Sequence, residues 1–594
     1  MSKSFARLIS GLFFLLSISG LSVHAQTVTL KIIETSDVHG AIYPYDFIND
    51  REANGSLAQV YTFVQQERAN QEQHVILLDN GDILQGQPVV YYYNFEKDDQ
   101  PHLYARVMNF MGYDAATVGN HDIETGHAVY DKFNQKLSFP WMAANAVTTD
   151  DGEPYFKPYT VIEKQGVKMA VLGIITPGIP NWLPASIWQG MEFQDMIVCA
   201  RKWLPIIQER EKPDVLVGLF HSGVDYTYGN QTAETPSNEN ASRLVAEQVP
   251  GFDVIFVGHD HARWNFTVKN SAGKEVRILG PTSNARTVAV ATITLRFDAT
   301  QNTWDKKVRG ELVEIKSYEA DKPFLKKFAE GLQSVKNYVS KPIGRFTKSV
   351  STRDAIFGNS AFVDLIHQIQ LELTGADVSF TAPLSFEARI QKGTVFVRDM
   401  FKLYKYENLL YTMELSGQEI KDLLEYSYGR WFNQMQNADD HLLNFVRDDQ
   451  GRLRRSARNG SYYLNARTYN FDSAAGIRYT VDVSKPAGSR VVIQSMADGS
   501  PFELHQTYRV AINSYRGNGG GGHLTNGAKI PKAELAERVL ASTDKDLRFY
   551  LMKWIEKNKV VTPKLLGNWK VIPEPWWQAA RKRDFQLLFG RKME

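Results

Sequence analysis

The residues best suited to chemistry stand at the ends of five short apolar runs. Run 30–33 leads into Asp37-Val38-His39-Gly40, run 75–78 into Asn80-Gly81-Asp82, and run 115–118 into Gly119-Asn120-His121-Asp122. Run 215–219 leads into His221-Ser222-Gly223, and run 254–257 into Gly258-His259-Asp260-His261. Carboxylate, imidazole and amide oxygen are ligands suited to Zn, Mn, Fe or similar divalent ions. A single Asp after a strand usually caps a helix or makes a turn. A single His is more often hydrogen-bonded in a core, and His24, His74, His102, His127, His367 and His505 are assigned to that class. Five matching strand ends are a different matter, and the expectation is a metal centre. The glycines at 40, 81, 119, 223 and 258 are expected to permit tight turns that aim each ligand inward.

Such convergence needs a fold that lines up strand ends. From residue 28 to about 297, short apolar runs alternate with longer helix-like stretches, including Leu57-Val60-Val64 and Leu103-Val107-Phe110, spaced for one helix face. This alternation points to an α/β layered domain, and in open α/β sheets the carboxyl ends of the strands form the ligand-binding rim. The segment 318–341 is charged and helix-like, with Phe324, Phe328, Leu332 and Val335 on one stripe. It ends at Lys341-Pro342, where proline disfavours helix in the preceding residue. The chain therefore divides into an α/β layered sandwich at 26–315, a linker helix at 316–342 and a second α/β domain at 343–551. Within the second, 448–459 is charged and poor in apolar residues and reads as an exposed loop. The tail, 552–594, carries Trp569, Trp576 and Trp577 and is expected to pack onto something.

The first 25 residues read as a secretory signal: Lys3 and Arg7, an apolar core over 8–21, then Val23-His24-Ala25 with small residues flanking the cleavage point. The apolar run is too short to span a bilayer. A periplasmic or secreted protein is expected, starting near Gln26 and without a membrane span once the signal is removed. Removing Lys3 and Arg7 lowers the basic count from 68 to 66, equal to the 66 acids. A neutral chain lacks the basic footprint of a protein that grips long nucleic acid, so small substrates are favoured. The single cysteine, Cys199, excludes an internal disulfide and follows an apolar stretch, as a buried thiol does.

Taken together, Asp37-x-His39, Gly81-Asp82, Gly119-Asn120-His121-Asp122, His221 and Gly258-His259-x-His261 resemble the motif set of the calcineurin-like metallophosphoesterases. The resemblance implies two divalent ions. One would be held by Asp37, His39 and His261, the other by Asn120, His221 and His259, with Asp82 bridging. Such a pair lowers the pKa of a water to make hydroxide available near neutral pH and clamps phosphoryl oxygens during in-line attack. His121 would supply a proton or positive charge to the leaving oxygen. Where the family often has an aspartate that orients this histidine, the chain has Glu124.

The C-terminal half resembles the substrate-binding domain of 5′-nucleotidases and periplasmic 2′,3′-cyclic-nucleotide phosphodiesterases. The segments that carry this are Thr381-Ala382-Pro383-Leu384 through Arg389, Tyr404-Lys405-Tyr406-Glu407-Asn408, Tyr469-Asn470-Phe471-Asp472 and Asn513-Ser514-Tyr515-Arg516, with glycines at 517 and 519–522. By position, Tyr406 and Tyr515 would sandwich a base, Asn408 would bond its edge, the glycines would let backbone approach the ligand, and Arg389 and Arg353 would meet phosphate or ribose. Ala382-Pro383, Tyr469-Asn470-Phe471-Asp472 and Asn513-Ser514-Tyr515-Arg516 lean toward hydrolysis of 2′,3′-cyclic nucleotides and 3′-nucleotides. The alternatives are a 5′-nucleotidase, a UDP-sugar hydrolase or a hydrolase of another small ester, sulfur esters included. A mononuclear zinc hydrolase would need fewer ligands, and a non-catalytic nucleotide-binding surface protein would need none of them.

Overall fold

The computed structural model describes residues 26–98, 101–456 and 460–590; the expected signal segment lies outside them. The first half is built on two six-stranded sheets. One has the order Thr303–Glu314, Thr287–Asp298, Thr27–Thr35, His74–Asp79, Ala115–Thr117, Trp141–Met142. The other has the order Trp264–Lys269, Glu275–Gly280, Val254–Val257, Val215–His221, Val167–Ile175, Tyr159–Lys164.

Alternation along the strands builds the layers, because successive side chains point to opposite faces. Leu30, Ile32, Ile76 and Leu78 face inward and meet Val171, Val217, Leu219 and Phe256 of the other sheet. Ile33 and Leu77 face outward beneath helices Leu57–Ala69 and Leu103–Met111. On the far side, Leu216, Phe220 and Ile255 lie beneath Met196–Glu211 and Ser242–Gln248. Strands covered on both faces read as unbroken apolar runs, which explains the pattern of the sequence. The parallel register places Thr35 beside Asp79, Leu78 beside Ala115, Phe220 beside Val257 and His221 beside Ile175. Each sheet thus brings its carboxyl ends to a single rim.

The expected linker helix is two helices, Lys322–Lys327 and Ala329–Val339, broken at Phe328 (φ −106°, ψ 15°). The break lets the Phe328 ring pack on Phe324 and Phe110, at 5.0 and 5.5 Å between centroids. Phe324, Phe328, Val335 and Val339 are all buried against the first domain. The chain then enters the second domain as strand Pro342–Phe346, paired with Gly393–Phe396 and Val560–Val561.

The second domain centres on a five-stranded sheet, Ser473–Ala475, Val378–Thr381, Thr507–Asn513, Leu409–Ser416, Val539–Asp546. Helices Ala361–Thr374, Val397–Leu403 and Leu547–Asn558 share one core with it, and Gly417–Trp431 shares the other. Ser416 starts the last of these with a capping box closed by Glu419.

The structure adds detail to two expectations here. Segment 448–459 is not a plain loop: isolated bridges Arg447 to Leu453 and Arg455 to Tyr462 fold it into a hairpin-like arm, of which 457–459 lie outside the described residues. The tail is part of the domain. Helix Leu547–Asn558 crosses the expected boundary at 551, and strand Trp569–Ile572 joins Ile477–Asp482 in parallel, with Trp569 stacked on Tyr479 at 5.7 Å. Helix Glu574–Phe589 then closes the face: Trp577 donates to Phe357 O, and buried Asp584 accepts from Leu442 N and Leu443 N. The two domains touch through Tyr91, whose hydroxyl donates to Asp546 at 3.1 Å and whose ring meets Phe401 edge-on at 5.4 Å.

Candidate metal centre and the facing tyrosines

The rim gathers the residues singled out in the sequence. Asp37, His39, Asp82 and His261 place one ligand atom each within 4.8 Å of one another, and Asp82, His221 and His259 do the same. Asp82 belongs to both groups. Asn120 Oδ1 lies 3.1 Å from His221 Nε2 and 2.8 Å from His259 Nδ1, so the amide joins the second group. The structure therefore brings all seven side chains to one place, with Asp37, Asp82 and His221 fully buried.

The backbone does more of the aiming than the glycines. Asp37, His39, Asp82, His259 and His261 all have left-handed conformations, with φ of 51°, 49°, 57°, 73° and 55°. That region is sparsely populated by non-glycine residues, although Asp, Asn and His enter it more readily than most. Main-chain bonds lock it: Asp37 N donates to Gly81 O, His39 N to Asp82 O and Asn284 N to Asp37 O. Of the five glycines, Gly40 and Gly81 do sit at positive φ. Gly119, Gly223 and Gly258 serve close approach instead: a Cβ would come within 2.3 Å of Asp82 N, 2.4 Å of Asn240 Oδ1 and 2.2 Å of Ser36 Oγ respectively.

A second ring of contacts orients the ligand atoms. His39 Nδ1–H donates to Gln85 O at 3.0 Å and His221 Nδ1–H to Asn80 O at 2.5 Å, which turns both Nε2 atoms inward. Trp182 stacks on His259 at 5.5 Å. Asp122 accepts from the backbone N–H groups of Asp82, Ile83, Leu84 and Gly119, and so ties two ligand loops together. Asp82 in turn accepts from His121 N at 2.8 Å.

These donors fit divalent cations. His39 Nε2 stands 3.1 Å from His261 Nε2, and His221 Nε2 stands 3.2 Å from Asp82 Oδ2. Lone pairs that converge at such distances call for positive charge between them. Burial opposes charge on His221, yet Asp82 outweighs it and pushes the imidazole up to about 10. Burial also raises the Asp82 carboxyl, but His221 and His121 overcome this and hold it well below the usual carboxylate range. Burial keeps His39 and His259 neutral, each pushed down to about 3. The ionised carboxylates and the neutral His39 and His259 are in the protonation states that metal binding requires, while the proton on His221 is one that a bound cation would displace.

Beside this group His121 Nδ1 lies 2.5 Å from Glu124 Oε2, with Glu124 almost buried. Burial disfavours charge on His121, but Asp82 and Glu124 prevail and push it up to about 9.

The second domain faces this rim. Glu407, which sequence reasoning passed over, contributes to the field at His121 and itself feels the charge of Glu124; burial pushes Glu407 up to about 8 despite its ion pair with Arg548 at 3.2 Å. Tyr515 lies close enough to act on the Tyr406 phenol, and Glu124 acts on it as well. Tyr469 meets Tyr406 edge-on, with centroids 6.2 Å apart. Asn408 is buried, its Oδ1 3.5 Å from the Tyr404 hydroxyl.

The structure shows the surroundings of three further features expected to meet the substrate. Arg353 forms an ion pair with Glu387 and lies 4.8 Å over the Phe589 ring, so its guanidinium is engaged with the C-terminal helix. Arg389 is exposed on the short strand Arg389–Ile390, with no acid partner among the described residues. The glycines after Tyr515 make room for protein: a Cβ at Gly520 would lie 2.6 Å from the Tyr515 ring, and one at Gly521 would lie 2.2 Å from Arg516 Nη1. Buried Arg516 is the organiser here. It pairs with Asp472 at 2.6 Å and donates to Gly520 O, Tyr469 O and Asn470 Oδ1, binding two sequence motifs into one wall.

Comparison with known proteins agrees with both halves. Residues 30–263 match the calcineurin-like phosphoesterase family, and residues 342–526 match the 5′-nucleotidase C-terminal domain. The chain is 28% identical to the trifunctional nucleotide phosphoesterase protein YfkN of Bacillus subtilis over 92% of its own length, spanning 39% of that protein. It is 27% identical to the 2′,3′-cyclic-nucleotide 2′-phosphodiesterase/3′-nucleotidase of Salmonella typhimurium, covering 93% of this chain and 90% of the relative. The solved structure of a putative 5′-nucleotidase from Staphylococcus aureus shares the fold, with a TM-score of 0.73 at 21% identity over 91% of this chain and 99% of that one. That architecture and that rim of carboxylates and imidazoles are those of a chain that joins a calcineurin-like phosphoesterase domain to a 5′-nucleotidase C-terminal domain, the equipment of a metal-dependent phosphoester hydrolase.

Proposed function

We propose that the protein hydrolyses 2′,3′-cyclic nucleotides and 3′-nucleotides outside the cytoplasm, using two divalent ions. The observation that carries this reading is the juxtaposition across the domains: a rim of metal-ligand side chains on one side, and the Tyr406, Tyr469 and Tyr515 wall on the other. Asp37, His39 and His261 would hold one ion, Asn120, His221 and His259 the other, and Asp82 both. When bound, such a pair neutralises phosphoryl oxygens and makes hydroxide available near neutral pH.

The remaining steps belong to side chains. Tyr406 and Tyr515 hold the base, since every base has a π-face and each such contact is worth about 1–3 kcal/mol. His121 keeps its Nδ1 on Glu124 and presents Nε2, from which a proton passes to the leaving ribose oxygen. Glu124 fixes the ring and favours its charged form. The sequence of residues 1–25 supports export, and among the described residues no helix is long and apolar enough to cross a membrane.

The test is phosphate release from 2′,3′-cyclic AMP, 3′-AMP, 5′-AMP and UDP-glucose, with manganese and with chelator. Turnover of the first two, abolished by chelator and by Asp82→Ala, supports the reading. Preference for 5′-AMP would replace it with a 5′-nucleotidase, and turnover of none would overturn it.

A further inference from the structure

The layer between the two sheets of the first domain is apolar until it nears the rim. Strand Thr27–Thr35 sends Leu30 and Ile32 inward, and the same alternation sends Glu34 inward, with none of its surface exposed. The metal ligands do not include this carboxyl. Its partner is Asn80, on the loop that ends in Asp82: Asn80 Nδ2 donates to Glu34 Oε1 at 3.0 Å. The same nitrogen donates to Phe220 O of the opposite sheet, also at 3.0 Å.

Asn80 thus holds the end of strand Val215–His221 at two successive residues. Its side chain grips the Phe220 carbonyl, and its own carbonyl receives His221 Nδ1–H at 2.5 Å. The loop backbone is fixed in turn, because Asn80 N donates to Thr35 O at 2.8 Å and Gly81 N to Asp79 Oδ1 at 3.0 Å. Glu34 fixes the side chain. With one amide hydrogen spent on each sheet, the amide cannot turn without breaking a buried bond. Glu34 Oε2 and Asn80 Oδ1 are both buried without a hydrogen-bond partner. Two such acceptors call for a donor, and a proton on Glu34 supplies one. Burial, with the carboxyls of Asp37 and Asp79 adding to it, outweighs the Asn80 bond and raises Glu34 well above the usual carboxylate range.

We infer that Glu34 and Asn80 form a buried pair that positions the ligand His221, so that the ion held by Asn120, His221 and His259 depends on a carboxyl outside the ligand set. The inference rests on the two-ion reading above. Both are positioning residues, acting through the His221 imidazole.

The experiment is manganese titration of the metal-free full chain, read by calorimetry as two affinities, with His221→Ala marking the one that belongs to this ion. Glu34→Leu removes the carboxyl at similar volume and is expected to weaken that ion about 10- to 100-fold, the usual scale for a group that orients a ligand. The ion held by Asp37, His39 and His261 is expected to keep its wild-type affinity. Glu34→Gln keeps an acceptor and a donor, and is expected to bind both ions as wild type does. Adding Glu34→Leu to Asn80→Ala is expected to cost nothing beyond Asn80→Ala alone, because the carboxyl acts through that amide. This double variant strands no amide, so it carries the test if Glu34→Leu alone does not fold. Wild-type affinity for both ions in Glu34→Leu, an equal loss at both, weak binding in Glu34→Gln, or losses that multiply would overturn the pair alone. If wild type takes up one ion or none, the two-ion reading fails first, and the pair with it.

Discussion

His121 Nδ1 and Glu124 Oε2 are 2.5 Å apart, three residues along one short helical turn, with the carboxylate almost wholly removed from water. The extra methylene that distinguishes glutamate from aspartate is taken up by the turn, and the dyad closes. Replacing His121 by alanine is therefore expected to lower kcat about 100-fold or more, the usual share of a positioned acid. Glu124→Gln keeps a bond to Nδ1 but removes the charge, and a smaller loss is expected. Steady-state kinetics on 3′-AMP decides it, and a Glu124→Gln enzyme as fast as wild type would remove Glu124 from the mechanism.

Chelation should abolish turnover, and added manganese or zinc should restore it. Elemental analysis of the reloaded protein is expected to give two ions per chain, falling on Asp82→Ala because that carboxylate is shared by both groups. A stoichiometry of one would return the mononuclear reading.

Tyr406→Ala and Tyr515→Ala each remove a ring from the pocket wall. Each is expected to raise KM for 3′-AMP by about tenfold, consistent with one base–aromatic contact. Unchanged KM in both would move the base elsewhere.

Arg516 and Asp472 are 1% and 2% exposed and joined at 2.6 Å. Truncating Asp472 to alanine leaves a buried guanidinium unpaired, which costs about 3–5 kcal/mol. Urea unfolding of the second domain should show this, while metal content stays at the wild-type value. Equal stability would mean that water replaces the carboxylate.

Cys199 is fully buried, and burial pushes its thiol up to about 12. The folded protein is expected to resist a disulfide reagent at pH 8 and to react with one equivalent in urea. Fast reaction in the native state would show that helix Met196–Glu211 opens.

The metal-ligand side chains were legible because each follows its own buried strand, and buried parallel strands announce themselves as apolar runs. Asp37, Asp82 and His221 needed only that register. What the sequence does not display is contact between distant elements. Glu407 looks like a surface residue of the second domain until the fold buries it within reach of His121. The glycines after Tyr515 show the same limit: a glycine run looks the same whether it clears space for a ligand or for Arg516. The linker appeared as one helix because its stripe continues through Phe328, and only packing on Phe110 shows why it breaks. The tail was opaque because strand Trp569–Ile572 pairs with Ile477–Asp482, about ninety residues earlier.

The left-handed backbone at Asp37, His39, Asp82, His259 and His261 bears on how this centre can change over generations. A glutamate in place of Asp37 or Asp82 would keep a carboxylate but sit less easily at positive φ, and a valine or isoleucine would fit neither demand. Asparagine and glycine are the residues the backbone tolerates best. A descendant shedding its ions while keeping its shape would therefore be steered toward those two at these positions, and such a chain would carry the outline of the lost centre in its main-chain bonds.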